Sequence, residues 1–310
     1  MLAVVINADQ ALNMLSQGAL LFILASGLAV IFGLMNIINF AHGSLIMVGA
    51  YAGAEVAAHH LSSWLAIPIG FAVGVALGFV VEVVLIRRLY GRPWDTILAT
   101  IGLGLILIAV VSIVFGRENK YVGTPLSGEW NLGFDRYSSY RLFLVIFAAA
   151  LFASLWFVTN KTRLGLVARA VIANETLAAT HGIDSRAVRR WTFMVGAGLA
   201  GVAGALVAPI GSVQPNMGQD YLVDAFMVVM VAYSSVGGLL LAALLFGAAE
   251  SWVTFLTTPI VGSVTIIVLT AITLRVLPQG FSALALPGRD GALRPRSGRD
   301  LPTPPEDAAR

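Results

Sequence analysis

The chain has 310 residues, 58% hydrophobic and only 11% charged, and no cysteine. An ordinary soluble domain is about 25% charged, so the composition is that of a polytopic membrane protein, and the missing cysteine excludes disulfides, thiolate nucleophiles and cysteine-based metal centres. The net charge of +3 lies in short loops and a tail rather than on a basic folded module, which reads as membrane topology and not as nucleic-acid binding.

The N-terminus MLAVVINADQ has no basic n-region, so the first apolar run is expected to be retained rather than cleaved. A helix rises about 1.5 Å per residue through a hydrocarbon core of about 30 Å, so roughly 20 apolar residues make one pass. The stretch from Gln10 to Ala54 has no Asp, Glu, Lys or Arg and is too long for one pass. It predicts a span near 12–34, a break at NIINFAHGS, and a second segment near 41–58. Further spans are expected near 65–86, 96–115, 141–159 and 191–211, with two or three more inside 222–277, for about eight or nine membrane segments in an all-α transmembrane helical bundle.

Within the break, Asn36, Asn39 and His42 recur every three residues and Ser44 follows Gly43. Two readings stand for these residues. One is an interfacial turn whose polar groups cap exposed backbone; the other is a broken or re-entrant element facing a translocation path. Among the acids, Glu55, Glu82, Asp220 and Asp224 fall at or near span ends, where interfacial or paired roles are expected. Glu250, in LLFGAAESWVTF, follows a full turn of apolar residues and is the strongest single candidate for a polar pathway residue.

Gly70, Gly74 and Gly78 share one helix face, as do Gly196, Ala200 and Gly204; small faces of this kind let neighbouring helices approach closely. The run GAGLAG, 196–201, matches a dinucleotide fingerprint literally, but it continues into apolar sequence without a strand or tight turn and is read as accidental. No GxxxxGK[ST] loop is present, so ATP driving any transport would be hydrolysed by another chain. Four scattered histidines predict no metal site, no nucleophile elbow occurs, and neither an enzyme nor a cofactor is expected.

Arg87, Arg88 and Arg92 crowd one short loop, and Lys161, Arg163, Arg169, Arg186, Arg189 and Arg190 crowd another; both are expected on the cytoplasmic side. The intervening loop, 116–140, mixes charges and carries Tyr121, Trp130, Tyr137 and Tyr140, as an outer interfacial loop does. Together they put the N-terminus outside and the C-terminus in the cytoplasm. The sequons at Asn160 and Asn174 then fall on the cytoplasmic side and are expected to stay silent. From Pro287 the chain turns rich in Pro, Arg and acids, which predicts a disordered cytoplasmic tail over 287–310 after a transmembrane domain over 1–286. The basic loop 161–190 contains a short helix-like stretch beginning near Glu175 and stopping at Gly182, with Leu177 and Ala178 as a small apolar face for a partner groove.

Three blocks resemble a known family: LASGLAVIFGLMNIINFAHGSLIMVGAY (24–51), RLGLVARAVIANETLAATHGID (163–184) and WTFMVGAGLAGVAGALVAPIGSVQPNMG (191–218). In order and spacing they are similar to the permease subunits of high-affinity branched-chain amino acid ABC importers, and NFAHG at 39–43 is the most specific of the matches. The resemblance covers most of 10–281. It implies an inner-membrane subunit paired with a second homologous permease, two cytoplasmic ATP-binding subunits and a periplasmic substrate-binding protein. It also implies that 169–184 is the coupling loop, carried by Arg169, Glu175, Ala178, Ala179 and Gly182, and that transport proceeds by alternating access. Related permeases for urea and short-chain amides share much of the pattern, and an ATP-independent secondary transporter or a membrane scaffold is the alternative from outside the family. The sequence departs from the family at 231–240, where Ala232 and Tyr233 replace glycines and a proline is absent, so the turn there is expected to differ in shape.

Overall fold

The computed structural model describes residues 8–126, 128–131, 136–232, 235–277 and 280–281. The expected tail at 287–310, and Tyr233 and Ser234 of the unusual turn, lie outside these residues.

The helices are α1 (Ala8–Met35), α2 (His42–Ala58), α3 (Ala66–Val84), α4 (Pro93–Phe115), α5 (Ser139–Lys161), α6 (Arg163–Ala173), α7 (Glu175–Thr180), α8 (Ser185–Val207), α9 (Met217–Ala232), α10 (Val236–Leu256) and α11 (Pro259–Val276). Seven of them, α1, α3 with its flanking turns, α4, α5, α8, α10 and α11, are long and apolar enough to cross a membrane. The shorter α2 and α9 have 17 and 16 residues and complete a bundle close to the expected eight or nine segments. The molecule is a multi-pass membrane protein, all-α except for short strands in the loops.

Helix α8 occupies the centre because almost every residue of its second half is small. Gly196, Ala197, Gly198, Ala200, Gly201, Ala203, Gly204 and Ala205 are all buried, and α1, α2 and α3 pack against it at backbone distance. A Cβ added to Gly204 would lie 1.8 Å from the Ile46 carbonyl oxygen of α2, and one on Gly74 would lie 2.4 Å from the Ala197 carbonyl oxygen. Gly70 likewise meets Gly201, Gly78 meets Ala197, and Gly196 meets Gly27 and Ile31 of α1. GAGLAG is therefore continuous helix inside the bundle. In lipid, where apolar burial drives little association between helices, contacts of this kind supply the packing energy.

Helix α1 has 28 residues, about 42 Å of helix. It ends at Asn36, whose amide donates to the Phe32 carbonyl at 2.9 Å while its own φ is +49°, a left-handed conformation that asparagine tolerates better than most residues. The chain then climbs back along α1 in non-helical form, and α2 starts with His42 beside Leu24 rather than beside the end of α1. The first residue of α2 therefore lies beside a point eleven residues before the end of α1.

The loop after α4 closes the opposite end. Its strand β1 (Lys120–Tyr121) pairs antiparallel with β4 (Ser212–Val213), which follows α8, and β2 (Glu129–Asn131) pairs with β3 (Arg136–Ser138). Lys120 reaches Glu55 at the end of α2 at 2.9 Å, Tyr140 donates to the Leu206 carbonyl at 2.6 Å, and Tyr137 donates to the Leu12 carbonyl at 3.0 Å. Helix α10 begins after Ser235, whose hydroxyl accepts from the Gly238 amide at 2.8 Å; this serine cap starts the helix directly beyond the two glycine-replaced positions.

Candidate functional site

The polar residues singled out in the sequence fall into three separate places. The first is the junction where α2 and α9 begin. Asn39 (1% exposed), His42 (0%) and Ser44 (5%) are buried in packed protein, whereas Asn36 is exposed. The Asn39 carboxamide oxygen accepts from the Ala41 amide at 3.1 Å, the His42 Nε2 lies 3.4 Å from the Leu24 carbonyl, and the Ser44 hydroxyl donates to the Gly104 carbonyl of α4 at 3.1 Å. Phe40 donates its amide to the Thr100 hydroxyl at 3.2 Å. The bonds to the Phe40 and Ala41 amides satisfy backbone donors that the break in the helix leaves without an intrahelical partner. Gly43 meets Gly218 so closely that a Cβ on Gly43 would lie 2.1 Å from the Gly218 carbonyl oxygen, so the first turns of α2 and α9 are locked together. Asn39 Nδ2 and His42 Nδ1 are buried and have no partner among the described residues.

The second place is a cleft of about 380 Å³ at the loop end of the bundle, between α1, α5, α10 and α11. Glu250 lines it, together with Gln17 and Asn13 of α1 and Arg141 in the first turn of α5. Gln17 donates to the Glu250 carboxylate at 2.8 Å, and Arg141 donates to the Asn13 carboxamide oxygen at 2.6 Å. Glu250 is therefore not isolated: an amide orients it, and a cation shares its cleft. Arg141 was missed in the sequence because it reads there as the flank of an outer loop.

The third place is the elbow of α6 and α7 at the other end. Asn174 caps α7 by accepting from the Leu177 amide at 2.9 Å. Gly182 ends the turn with φ +79°, and the Gly182 and Ile183 amides donate to the Ala179 and Ala178 carbonyls, a glycine stop that satisfies the final carbonyls. Ala178 is 5% exposed and Leu177 57%. Successive helical residues point about 100° apart, so the expected two-residue face divides: Ala178 packs inward, and Leu177 and Ala179 face out. Arg169 donates to the Thr159 carbonyl, tying α6 back onto α5.

Behind this elbow lies a chain of contacts that only the assembled fold reveals. Glu175 is ion-paired with Arg189 of α8, the Arg189 guanidinium sits 4.6 Å from the centre of the Tyr90 ring, and the Tyr90 hydroxyl donates to Glu82 at 3.1 Å. Glu82 is 2% exposed, and its partner is Tyr90 rather than the nearby Arg87 or Arg88. Burial, with the Glu82 carboxylate beside it, raises the Tyr90 phenol above its usual range, which keeps it a proton donor. The elbow is thereby connected through side chains to both α3 and α8.

The chain is 27% identical over 262 residues to the high-affinity branched-chain amino acid transport system permease protein LivH of Salmonella typhimurium, covering 78% of this chain and 84% of that protein. It is 25% identical over 233 residues to the ribose import permease protein RbsC of Escherichia coli, covering 73% and 70% respectively. A solved structure, PsaBC from Streptococcus pneumoniae in complex with Fab, aligns with a TM-score of 0.48 and 14% identity over 88% of this chain and 94% of that one. The family model for the branched-chain amino acid transport system permease component matches residues 10–277, and the chain belongs to that family.

Proposed function

We propose that this chain is the membrane-spanning permease subunit of an ATP-binding-cassette importer for branched-chain amino acids in the inner membrane. The observation that carries the reading is the family match over 10–277. In this reading the chain pairs with a second homologous permease and two cytoplasmic ATP-binding subunits, and a periplasmic binding protein delivers the substrate. The N-terminus lies outside and the C-terminus in the cytoplasm, so the basic elbow of α6 and α7 meets the ATPases and the 116–138 loop faces the binding protein.

The proposed mechanism is alternating access. ATP binding closes the ATPase pair and pushes the elbow; Glu175, Arg189, Tyr90 and Glu82 pass the displacement to α8 and α3, and α8 carries α1 and α2 with it through their glycine contacts. The chain provides the path and the docking elbow, and the energy comes from its partners. The likeness to RbsC supports a second reading in which the cargo is a neutral sugar. Extraction of the tagged chain in mild detergent tests the class. Co-purifying ATP-binding subunits with vanadate-sensitive ATP hydrolysis are expected; a stably extracted chain that is solitary and inactive argues for ATP-independent transport.

A further inference from the structure

We infer that the cleft between α1, α5, α10 and α11 is a substrate subsite within the permease, built for the zwitterionic head of an α-amino acid. The inference rests on the amino-acid importer reading above and narrows it to named residues. The cleft holds about 380 Å³, within the range of about 300–1,000 Å³ usual for small-molecule sites. It brings one carboxylate, Glu250, and one guanidinium, Arg141, to the same space. No ion pair joins them; each is held instead by its own amide, Glu250 by Gln17 at 2.8 Å and Arg141 by Asn13 at 2.6 Å.

Those two amides sit four residues apart on α1, hence on one helix face and about 6 Å apart along its axis. Anchored one turn apart on α1, the two charges line the same cleft without pairing, so an α-ammonium at Glu250 and an α-carboxylate at Arg141 can enter it together. Arginine is the side chain best matched to a carboxylate, through two parallel N–H donors, and a half-buried carboxylate in a membrane bundle favours a cationic partner. Leu20 and Leu144 supply apolar wall beside the charges, as an aliphatic side chain requires. A neutral sugar or urea would leave both charges uncompensated, so the cleft selects against those cargoes.

The subsite is tested on the whole importer, purified with its ATP-binding and partner permease subunits but without the binding protein, by equilibrium binding of radiolabelled leucine. Leucine is expected to displace the label, while N-acetyl-leucine, which lacks the ammonium, and leucinamide, which lacks the carboxylate, compete at least about tenfold more weakly, since each forfeits one charge-assisted bond. E250Q and R141Q are each expected to weaken leucine binding about tenfold, with E250D recovering part of the loss and S154A, on the far surface of α5, binding as the wild type does. Equal competition by the blocked analogues on the wild-type importer overturns the subsite without recourse to any variant. ATP-driven leucine uptake with unaltered KM in E250Q and R141Q overturns the subsite and leaves the importer reading standing, whereas a wild-type importer that carries ribose and no amino acid overturns both.

Discussion

The two sides of α1 solve opposite problems. On one side Gly27 lies against Gly196 and Ala200 of α8, the helices touch at backbone distance, and the polar side chains of Asn39, His42 and Ser44 are buried in packed protein. On the other, Asn13 and Gln17 hold Arg141 and Glu250 beside open space. Both regions contain polar residues in an apolar chain, and only the second leaves charges facing a cleft. The two regions differ in the space before their polar atoms: Asn39, His42 and Ser44 lie in packed protein, whereas Glu250 and Arg141 line a cleft.

The sharpest way to break this contrast is to fill the dry side. Replacing Gly204 by Leu puts a side chain where even a Cβ meets the Ile46 carbonyl at 1.8 Å; rigid backbone cannot yield as a flexible side chain would, so the cost exceeds the usual overpacking penalty of about 1–3 kcal/mol. Immunoblots of the membrane fraction are expected to show almost no G204L protein. Gly237, where an added Cβ meets nothing within 4 Å, supplies the comparison: G237A is expected to accumulate normally.

The next largest effect is expected at the elbow. Arg189→Ala removes both the Glu175 pair and the stack on Tyr90, and substrate-stimulated ATP hydrolysis of the assembled importer is predicted to fall about tenfold, the scale of a coupling energy of about 1–3 kcal/mol. Leu177→Asp places a charge on the outward face while leaving Ala178 packed, so it is predicted to lower the yield of co-purifying ATP-binding subunits severalfold with the permease still present in the membrane. Unchanged recovery in L177D would move the docking surface elsewhere. Lys120→Met is the mildest: the Glu55 pair is about one-third exposed on both sides, and such pairs contribute about 0–1 kcal/mol, so the thermal midpoint in detergent is expected to shift by no more than a few degrees.

Much of the bundle was legible because its signals are local. Apolar run length marks the spans, glycine spacing marks the faces that meet on α8, and Glu175 and Gly182 mark the start and stop of α7 in the sequence as they do in space. The 36–44 segment kept two readings open because polar residues at a break look alike whether they cap backbone or line a path. That His42 meets Leu24, well back along α1, is a tertiary fact that the composition of the segment does not carry. Glu250 stood out by its apolar neighbours, but Arg141 did not, since its relation to Glu250 depends on α5 and α10 converging on α1. The contact between Tyr90 and Arg189 was not legible for the same reason: Tyr90 follows α3 and Arg189 lies in α8, and they meet only when α3, α7 and α8 are assembled.

The central claim is tested most directly by reconstituting the complete importer in proteoliposomes, with its binding protein outside, and measuring accumulation of radiolabelled leucine with ATP supplied on the ATPase side. The account predicts uptake against a gradient that requires hydrolysable ATP and is competed by isoleucine and valine but not by ribose. Leucine flux that proceeds without ATP, or ATP-driven uptake of ribose with none of leucine, would contradict it.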